Sequence, residues 1–275
     1  MVTKKKYIPL SSGHRACAGC GQIIAARIVA EALGPNVIIA NATGCLEVTT
    51  TQYPESAWGM PWIHSLFENT SAIASGIKAA IDYKIKIRHP KSDIRNPKVV
   101  AQGGDGATFD IGFGLISGMW QRNENILYIC YDNEAYANTG IQASGSTPAG
   151  TKTTTTPAGS YQKKKDMVAI ALAHKLNYVA QTTVGFPEDI VKKVKKALTI
   201  KGPGYIQILC PCVPGWKIRS DQTIKIGKLA AQTAIYPLLE YVNGKQTKSS
   251  IVFKQKIKAE EYFKLQGRFS THNFQ

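Results

Sequence analysis

A chain of 275 residues, 44% of them hydrophobic, is long enough to bury a substantial core, while its apolar runs are too short to cross a bilayer. The formal net charge of +16 keeps nucleic acid among the candidate partners, but the lysines are scattered rather than gathered into one stripe. The six cysteines follow no leader-like apolar stretch, so they point to metal or cluster ligation, or to buried thiols, ahead of disulfides, and to a cytoplasmic setting.

Residues 23–33 are apolar and alanine-rich and stop at Gly34-Pro35, which predicts a helix. Residues 37–40 predict a buried strand that opens into the loop Asn41-Ala42-Thr43-Gly44-Cys45. A second helix is expected over 65–83. Residues 98–102 predict a strand running into Gly103-Gly104-Asp105-Gly106, followed by a helical segment over 110–122 and a strand over 126–131. Helix 166–175, strand 178–182, helix 187–198, strand 205–209 and a long final helix over 222–241 complete the series. The lysines at 192, 193, 195 and 196 read as the solvated face of their helix. Strands alternating with helices predict an α/β fold with a doubly wound, mostly parallel sheet. Such sheets bind ligands beyond the carboxyl ends of their strands. Cys45, Asp105, Asn133 and Cys212 each follow a different strand. The stretch 140–165 is Gly/Pro-rich, polar and long for a loop, and is expected to order against the active site or a subunit contact. No repeat or linker divides the chain, so it reads as one domain over 1–275.

Glycines at 104 and 106 allow backbone amides to approach a phosphate, and Asp105 offers a hard oxygen ligand. Asn133 stands 28 positions on, at the end of the next strand. The carbonyl of Ala135, pointing the same way in an extended segment, adds a third oxygen. With two diphosphate oxygens and one water these make an octahedral Mg²⁺ site. A Rossmann fingerprint fails at Phe109, and a Walker loop fails for want of Lys-Ser/Thr. A tight strand-to-helix turn without ligand is the alternative for GDG taken alone. Cys17 and Cys20 form C-x₂-C, which by itself suits zinc, iron–sulfur or dithiol chemistry. Cys45 and Cys212 are placed to complete a set of four, while Cys130 and Cys210 read as core thiols. Arg15 and Glu47 read as surface groups.

The string YDNEAYANTG over 131–140 resembles the thiamine-binding chain of pyruvate:ferredoxin oxidoreductases. GHRACAGCG (13–21), NATGCLEV (41–48), PWIHSLFEN (61–69) and PCVPGW (211–216) extend the resemblance over nearly the whole chain, thinning after about residue 245. It implies a thiamine-diphosphate-binding fold, with Asp105, Asn133 and Ala135 on Mg²⁺. Gly44, Cys45, Gly104, Gly106, Asn138, Thr139 and Gly140 are then expected around thiamine diphosphate. Asn138 and His64 are expected at the reacting centre, and Cys17, Cys20, Cys45 and Cys212 on a [4Fe–4S] cluster. The implied reaction converts pyruvate, CoA and oxidised ferredoxin to acetyl-CoA, CO₂ and reduced ferredoxin. No glutamate is placed to activate the pyrimidine, and no two-cluster ferredoxin pattern is present. Partner subunits are therefore expected to bring both, with no part for nucleic acid or membrane. The same chemistry on a branched-chain 2-oxoacid, oxalate or 2-oxoglutarate is the nearest alternative. A basic Cys₄-zinc, nucleic-acid-binding protein is a remote one.

Overall fold

The computed structural model describes residues 7–52, 55–87, 96–247, 251, 253 and 257–269. The N-terminal lysines, read above as lacking a leader, lie outside them. The chain runs through α1 (Gly21–Leu33), β1 (Val37–Asn41), α2 (Cys45–Thr50), β2 (Trp62–His64), α3 (Thr70–Ile87) and β3 (Lys98–Gly104). A π-helical turn (Gly106–Ile111) leads into α4 (Phe113–Gln121), β4 (Ile126–Asp132), α5 (Met167–Ala173), β5 (Tyr178–Thr183), α6 (Pro187–Thr199) and β6 (Gly204–Leu209). Then come α7 (Val213–Trp216), α8 (Thr223–Gln232), β7 (Leu239–Val242), β8 (Lys245–Gln246) and α9 (Ala259–Phe263).

The strands form one sheet in the order β2-β1-β3-β4-β6-β5-β7-β8. The first six are parallel, and β7 and β8 close the far edge antiparallel. The expected doubly wound, mostly parallel sheet is therefore present. Its central strands are buried on both faces, which is why β4 reads ILYICYD without alternation. One core layer packs α1 and α6 against the sheet through Ala26, Val29, Ile190 and Val194. The other packs α3, α4 and α5 through Ala74, Ile116, Met119 and Val168. Among the described residues no helix is long and apolar enough to cross a membrane.

Three expected elements change. The helix expected over 65–83 begins only at Thr70, and the aromatic and β-branched run Trp62–His64 pairs with β1 as an edge strand instead. The segment expected to be helical from 110 starts earlier, as a π-helix in which Gly112 N donates to Ala107 O. π-Turns of this kind gather at functional sites. The long helix over 222–241 stops at Gln232. Ala234 turns left-handed at φ 59°, and Pro237, which lacks an N–H, cannot continue a helix. The chain then pairs back onto β5 as β7.

Lys193 departs from its expected solvated place. It is buried beside Asp189, with Nζ 2.5 Å from Oδ2 and 2.9 Å from the Gln181 carbonyl, while the Thr182 hydroxyl also donates to Asp189. Lys193→Met alone leaves Asp189 charged and buried. It is expected to lower stability by about 3–5 kcal/mol. The double change Asp189→Asn with Lys193→Met removes both charges and is expected to recover most of that loss, as read by urea unfolding.

Candidate active site

Parallel pairing in register brings the ends of β1, β3, β4 and β6 side by side: Asn41 opposite Gln102, Gly104 opposite Tyr131, and Asp132 opposite Leu209. The loops that leave these ends enclose two adjoining clefts. The first is lined by Gly44, Cys45, Gly104, Asp105, Gly106, Asn133, Ala135, Asn138 and Thr139, with Phe67 and Leu46 as apolar wall. The second is lined by Cys17, Cys20, Cys45, Cys210 and Cys212. Gln22, Cys45, Leu46, Asn133, Ala137 and Asn138 line both.

Asp105 lies at the bottom of the first cleft, 1% exposed. Its Oδ1 accepts from Asn133 N at 3.3 Å and its Oδ2 from the Ser144 hydroxyl at 2.5 Å. Burial, and then the charge of Asp132, push its carboxyl well above the ordinary range. Among the described residues no Lys, Arg or His lines this cleft, and Asp105 is its only acid. A divalent cation would offset the repulsion between a diphosphate and this carboxylate. Hard oxygens at Asp105, Asn133 and Ala135 suit Mg²⁺. The cradle fits the cofactor in other ways. A Cβ on Gly104 would meet nothing nearer than Gln22 Nε2 at 3.9 Å, so space is open over the turn. Asn41 Oδ1, buried in the wall, has no hydrogen-bond partner.

The segment after Asn133 is not extended as expected. Glu134 is left-handed at φ 63°, and Ala135 N folds back to donate to Asn133 Oδ1 at 3.3 Å. The two glycines of GDG also differ in purpose. A Cβ on Gly106 would lie 2.3 Å from the Tyr136 ring and 3.2 Å from Phe67, so glycine is needed for ring packing rather than phosphate approach. Tyr136 is itself held by its hydroxyl, which donates to Asp110 Oδ2 at 2.8 Å. Gly106→Ala is expected to displace that ring, lowering stability by about 1–3 kcal/mol. Thermal unfolding with and without cofactor checks it, with the larger loss expected in the cofactor-bound form.

In the second cleft burial pushes two thiols up, Cys45 to about 12 with Cys212 as its next cause, and Cys212 to about 11. Cys20 is raised for the same reason. Among the described residues no three His, Cys, Asp or Glu side chains converge as they would around a single metal ion. Cys130 and Cys210 are fully buried in the core, and Cys210 Sγ donates to the Ile208 carbonyl.

Two expected residues stand off the first cleft. His64 does not line it. The Thr43 hydroxyl, which does, is hydrogen-bonded to His64 Nε2 at 2.8 Å and lies 3.1 Å from the Ser65 carbonyl. Glu47, expected on the surface, sits 3.7 Å from His64 Nδ1. Gly140 is exposed just beyond Thr139, at φ 119°. Residues 140–165, without helix or strand, run against the site. Ser144 bonds Asp105, the Ser146 hydroxyl donates to Asp132, and Thr147 to the Glu134 carbonyl. Lys164 Nζ reaches Asp132 at 2.6 Å and Glu134 at 2.8 Å. Gln22, Asn41 and Phe67 escaped the sequence reading. For Gln22 the signal was a polar residue directly after C-x₂-C-G at a helix start.

Residues 42–208 match the family described as thiamine pyrophosphate enzyme, C-terminal TPP binding domain. Pyruvate synthase subunit PorB of Methanocaldococcus jannaschii is 51% identical over 94% of this chain and 87% of its own length. Ketoisovalerate oxidoreductase subunit VorB of Pyrococcus abyssi is 43% identical over 94% and 84%. In fold, the chain is similar to 2-oxoglutarate:ferredoxin oxidoreductase from Magnetococcus marinus, solved with 2-oxoglutarate, coenzyme A and succinyl-CoA bound. The TM-score is 0.67 at 22% identity, over 99% of this chain and 93% of that one. With a matched cofactor domain spanning the ends of β1, β3 and β4, and relatives at this identity along nearly its whole length, the chain belongs to the thiamine-pyrophosphate-binding subunit family of the 2-oxoacid oxidoreductases.

Proposed function

We propose that the chain is the cofactor-binding subunit of a pyruvate:ferredoxin oxidoreductase. Cys17, Cys20, Cys45 and Cys212 would hold a [4Fe–4S] cluster, which would supply the one-electron acceptor between oxidative decarboxylation and ferredoxin, with CoA as acyl acceptor. The observation that supports this reading is the shared lining: Asn138 and Cys45 are among the residues that face both clefts.

When bound, thiamine diphosphate supplies a carbon nucleophile and an electron sink that let a 2-oxoacid lose CO₂. Asp105, Asn133 and the Ala135 carbonyl would hold Mg²⁺ when the cofactor is bound. Phe67 and Leu46 exclude water from the cleft. Asn138 orients substrate from the shared lining, with Thr139 beside it. His64 acts through Thr43 rather than by touching the reacting atoms. Thiols spread around a cleft suit a multi-iron cluster, in which each iron takes one thiolate, better than one zinc ion holding four at about 2.3 Å. Among the described residues no glutamate lines the first cleft, in keeping with a partner subunit that supplies the group that activates the pyrimidine.

Pyruvate is favoured over a branched-chain acid by the higher identity to the pyruvate synthase subunit. The test is turnover by the native complex with pyruvate, 2-oxoisovalerate, 2-oxoglutarate and oxalate, each with CoA and a low-potential acceptor. Pyruvate is expected to give the highest kcat/KM. A higher value for 2-oxoisovalerate would overturn the substrate. Full-rate turnover by the reconstituted chain alone would overturn the need for partners.

A further inference from the structure

The metal loop is pinned from outside the cofactor cleft. Asn133 N donates to Asp105, and the Asn133 carbonyl accepts from Trp216 Nε1 at 2.8 Å. Glu134 N donates to Asp132 Oδ1 at 3.1 Å, and the Glu134 carbonyl accepts from Thr147. Every backbone group of these two residues is thus fixed by a side chain. The left-handed turn at Glu134 that they enforce is one that non-glycine residues avoid without such over-determination. The Glu134 carboxylate is divided between two cations. Oε1 accepts from Lys164, and Oε2 accepts from Arg268 Nη2 at 2.6 Å.

Arg268 lies far along the chain, in a 3₁₀ turn over Gly267–Phe269, and is 1% exposed. Its guanidinium is stacked 3.6 Å from the centre of the Trp216 ring, whose indole N–H is the donor to Asn133. One side chain therefore fixes the loop twice, by an ion pair to Glu134 and by clamping the tryptophan that bonds Asn133. The seat is built for it. Arg268 Nε donates to Gln266 Oε1, and the Arg268 carbonyl accepts from Lys152 N. A Cβ on Gly267 would lie 2.8 Å from Lys217 Cβ, so glycine allows the close approach that brings Arg268 in. Lysine cannot replace it in kind, lacking both the planar fork and the stacking face.

We infer that the segment around Arg268 is part of the cofactor machinery: Arg268 is a positioning residue that, through Glu134 and Trp216, holds Asn133 and Ala135 in the turn that presents their oxygens to the metal. The inference rests on the Mg²⁺–diphosphate reading for its consequence in binding, but its geometry can be tested without cofactor. It assigns a role to a segment that lies beyond the matched family domain.

The experiment places Arg268→Lys and Arg268→Gln in the native complex. It reads amide hydrogen exchange over residues 132–137 without cofactor, and then the Kd for thiamine diphosphate in excess Mg²⁺. Exchange in the loop is expected to speed at least ~10-fold while β3 and β4 amides hold. Kd should rise ~10–100-fold in Arg268→Gln, as for loss of a hydrogen bond to a charged group, with lysine recovering part of it. Lys193→Met, whose partner Asp189 is left buried, lowers global stability and reports general loosening, which should raise exchange in core and loop together rather than in the loop alone. If Arg268→Gln does not fold, Glu134→Gln with Arg268→Met removes both charges, and fast loop exchange is still expected. Loop exchange unchanged, or raised uniformly with the core, overturns the inference whatever the Kd. Local loop opening in a complex whose wild type has no affinity for thiamine diphosphate supports the positioning role and overturns the metal reading instead.

Discussion

Asparagine in place of Asp105 is expected to lower the affinity for thiamine diphosphate with Mg²⁺ at least ~100-fold, more than the 10–100-fold typical of residues that only support a metal ligand. The same change is expected to leave the cofactor-free chain as stable as before, or more so. Both halves follow from one fact: the carboxylate is buried at 1% exposure in a cleft with no cationic side chain. A charge there is useful only when a cation arrives. Asparagine keeps an oxygen for Asn133 N, and the Ser144 hydroxyl can rotate to accept from the new amide. The raised carboxyl also sets a sign with pH. The folded state binds its proton more tightly than the unfolded state, so the cofactor-free chain loses stability as pH rises from the ordinary carboxylate range towards the folded pKa. Asp105→Asn should flatten that decline. Thermal unfolding against pH, with and without Mg²⁺ and cofactor, reads both effects, since a ligand bound only by the folded state raises its midpoint. A variant that kept full cofactor-dependent stabilisation would remove Asp105 from the metal set.

Much of the frame was legible because parallel strands buried on both faces leave unbroken apolar runs. β3 and β4 are such runs, each ending in a chemically distinctive triplet, GDG or DNE. The edges were less legible. Trp62–His64 is too short to announce itself beside an expected helix, and residues 222–241 carry one apolar periodicity across what the structure splits into α8 and β7. There the decisive features were Pro237 and the chance to pair with β5, a contact between residues some sixty positions apart.

The site itself divides along the same line. Residues whose chemistry is local to a motif, such as Cys17, Cys20, Asp105 and Asn138, could be read from spacing and resemblance, and they line the two clefts. Residues that act through long-range contact could not. Lys164 looks no different from Lys163 or Lys165 in a run of three, yet it alone is drawn between two buried acids. Although burial pulls it down, Asp132 and Glu134 raise its pKa and hold the ammonium charged. Arg268 meets Glu134 across 134 positions. Nothing in the letters DNEA signals a left-handed glutamate, because the turn is imposed by its partners rather than by its own preference.

Serine at Cys212 is expected to abolish the cluster while sparing the diphosphate site, and serine at Cys45 to damage both. Cys212 lines only the second cleft, whereas Cys45 lines the two. Each thiol is raised by burial, so in the absence of iron it holds its proton, and binding of iron must displace it. Serine binds iron far less well than a thiolate, so one substitution should leave a cluster short of one corner. In the native complex purified without oxygen, Cys212→Ser should lower iron and sulfide by about four each per copy of this chain and remove one cluster's low-temperature electron paramagnetic signal. Pyruvate-dependent reduction of a one-electron acceptor should fall at least ~100-fold, the scale of losing a required redox relay. Thiamine diphosphate affinity should stay within about 2-fold, because the ligands on Asp105, Asn133 and Ala135 are untouched. Cys45→Ser should show the same loss of iron and in addition a weaker cofactor, since its side chain is also part of the first cleft's wall. Cys130→Ser, a change in the core, should leave iron content unchanged. The pattern across the three is the discriminating result. Iron content of the complex unchanged by Cys212→Ser, with stoichiometric zinc in the wild type, would remove the cluster from the account, and equal effects of Cys45→Ser and Cys212→Ser on cofactor affinity would remove the shared lining.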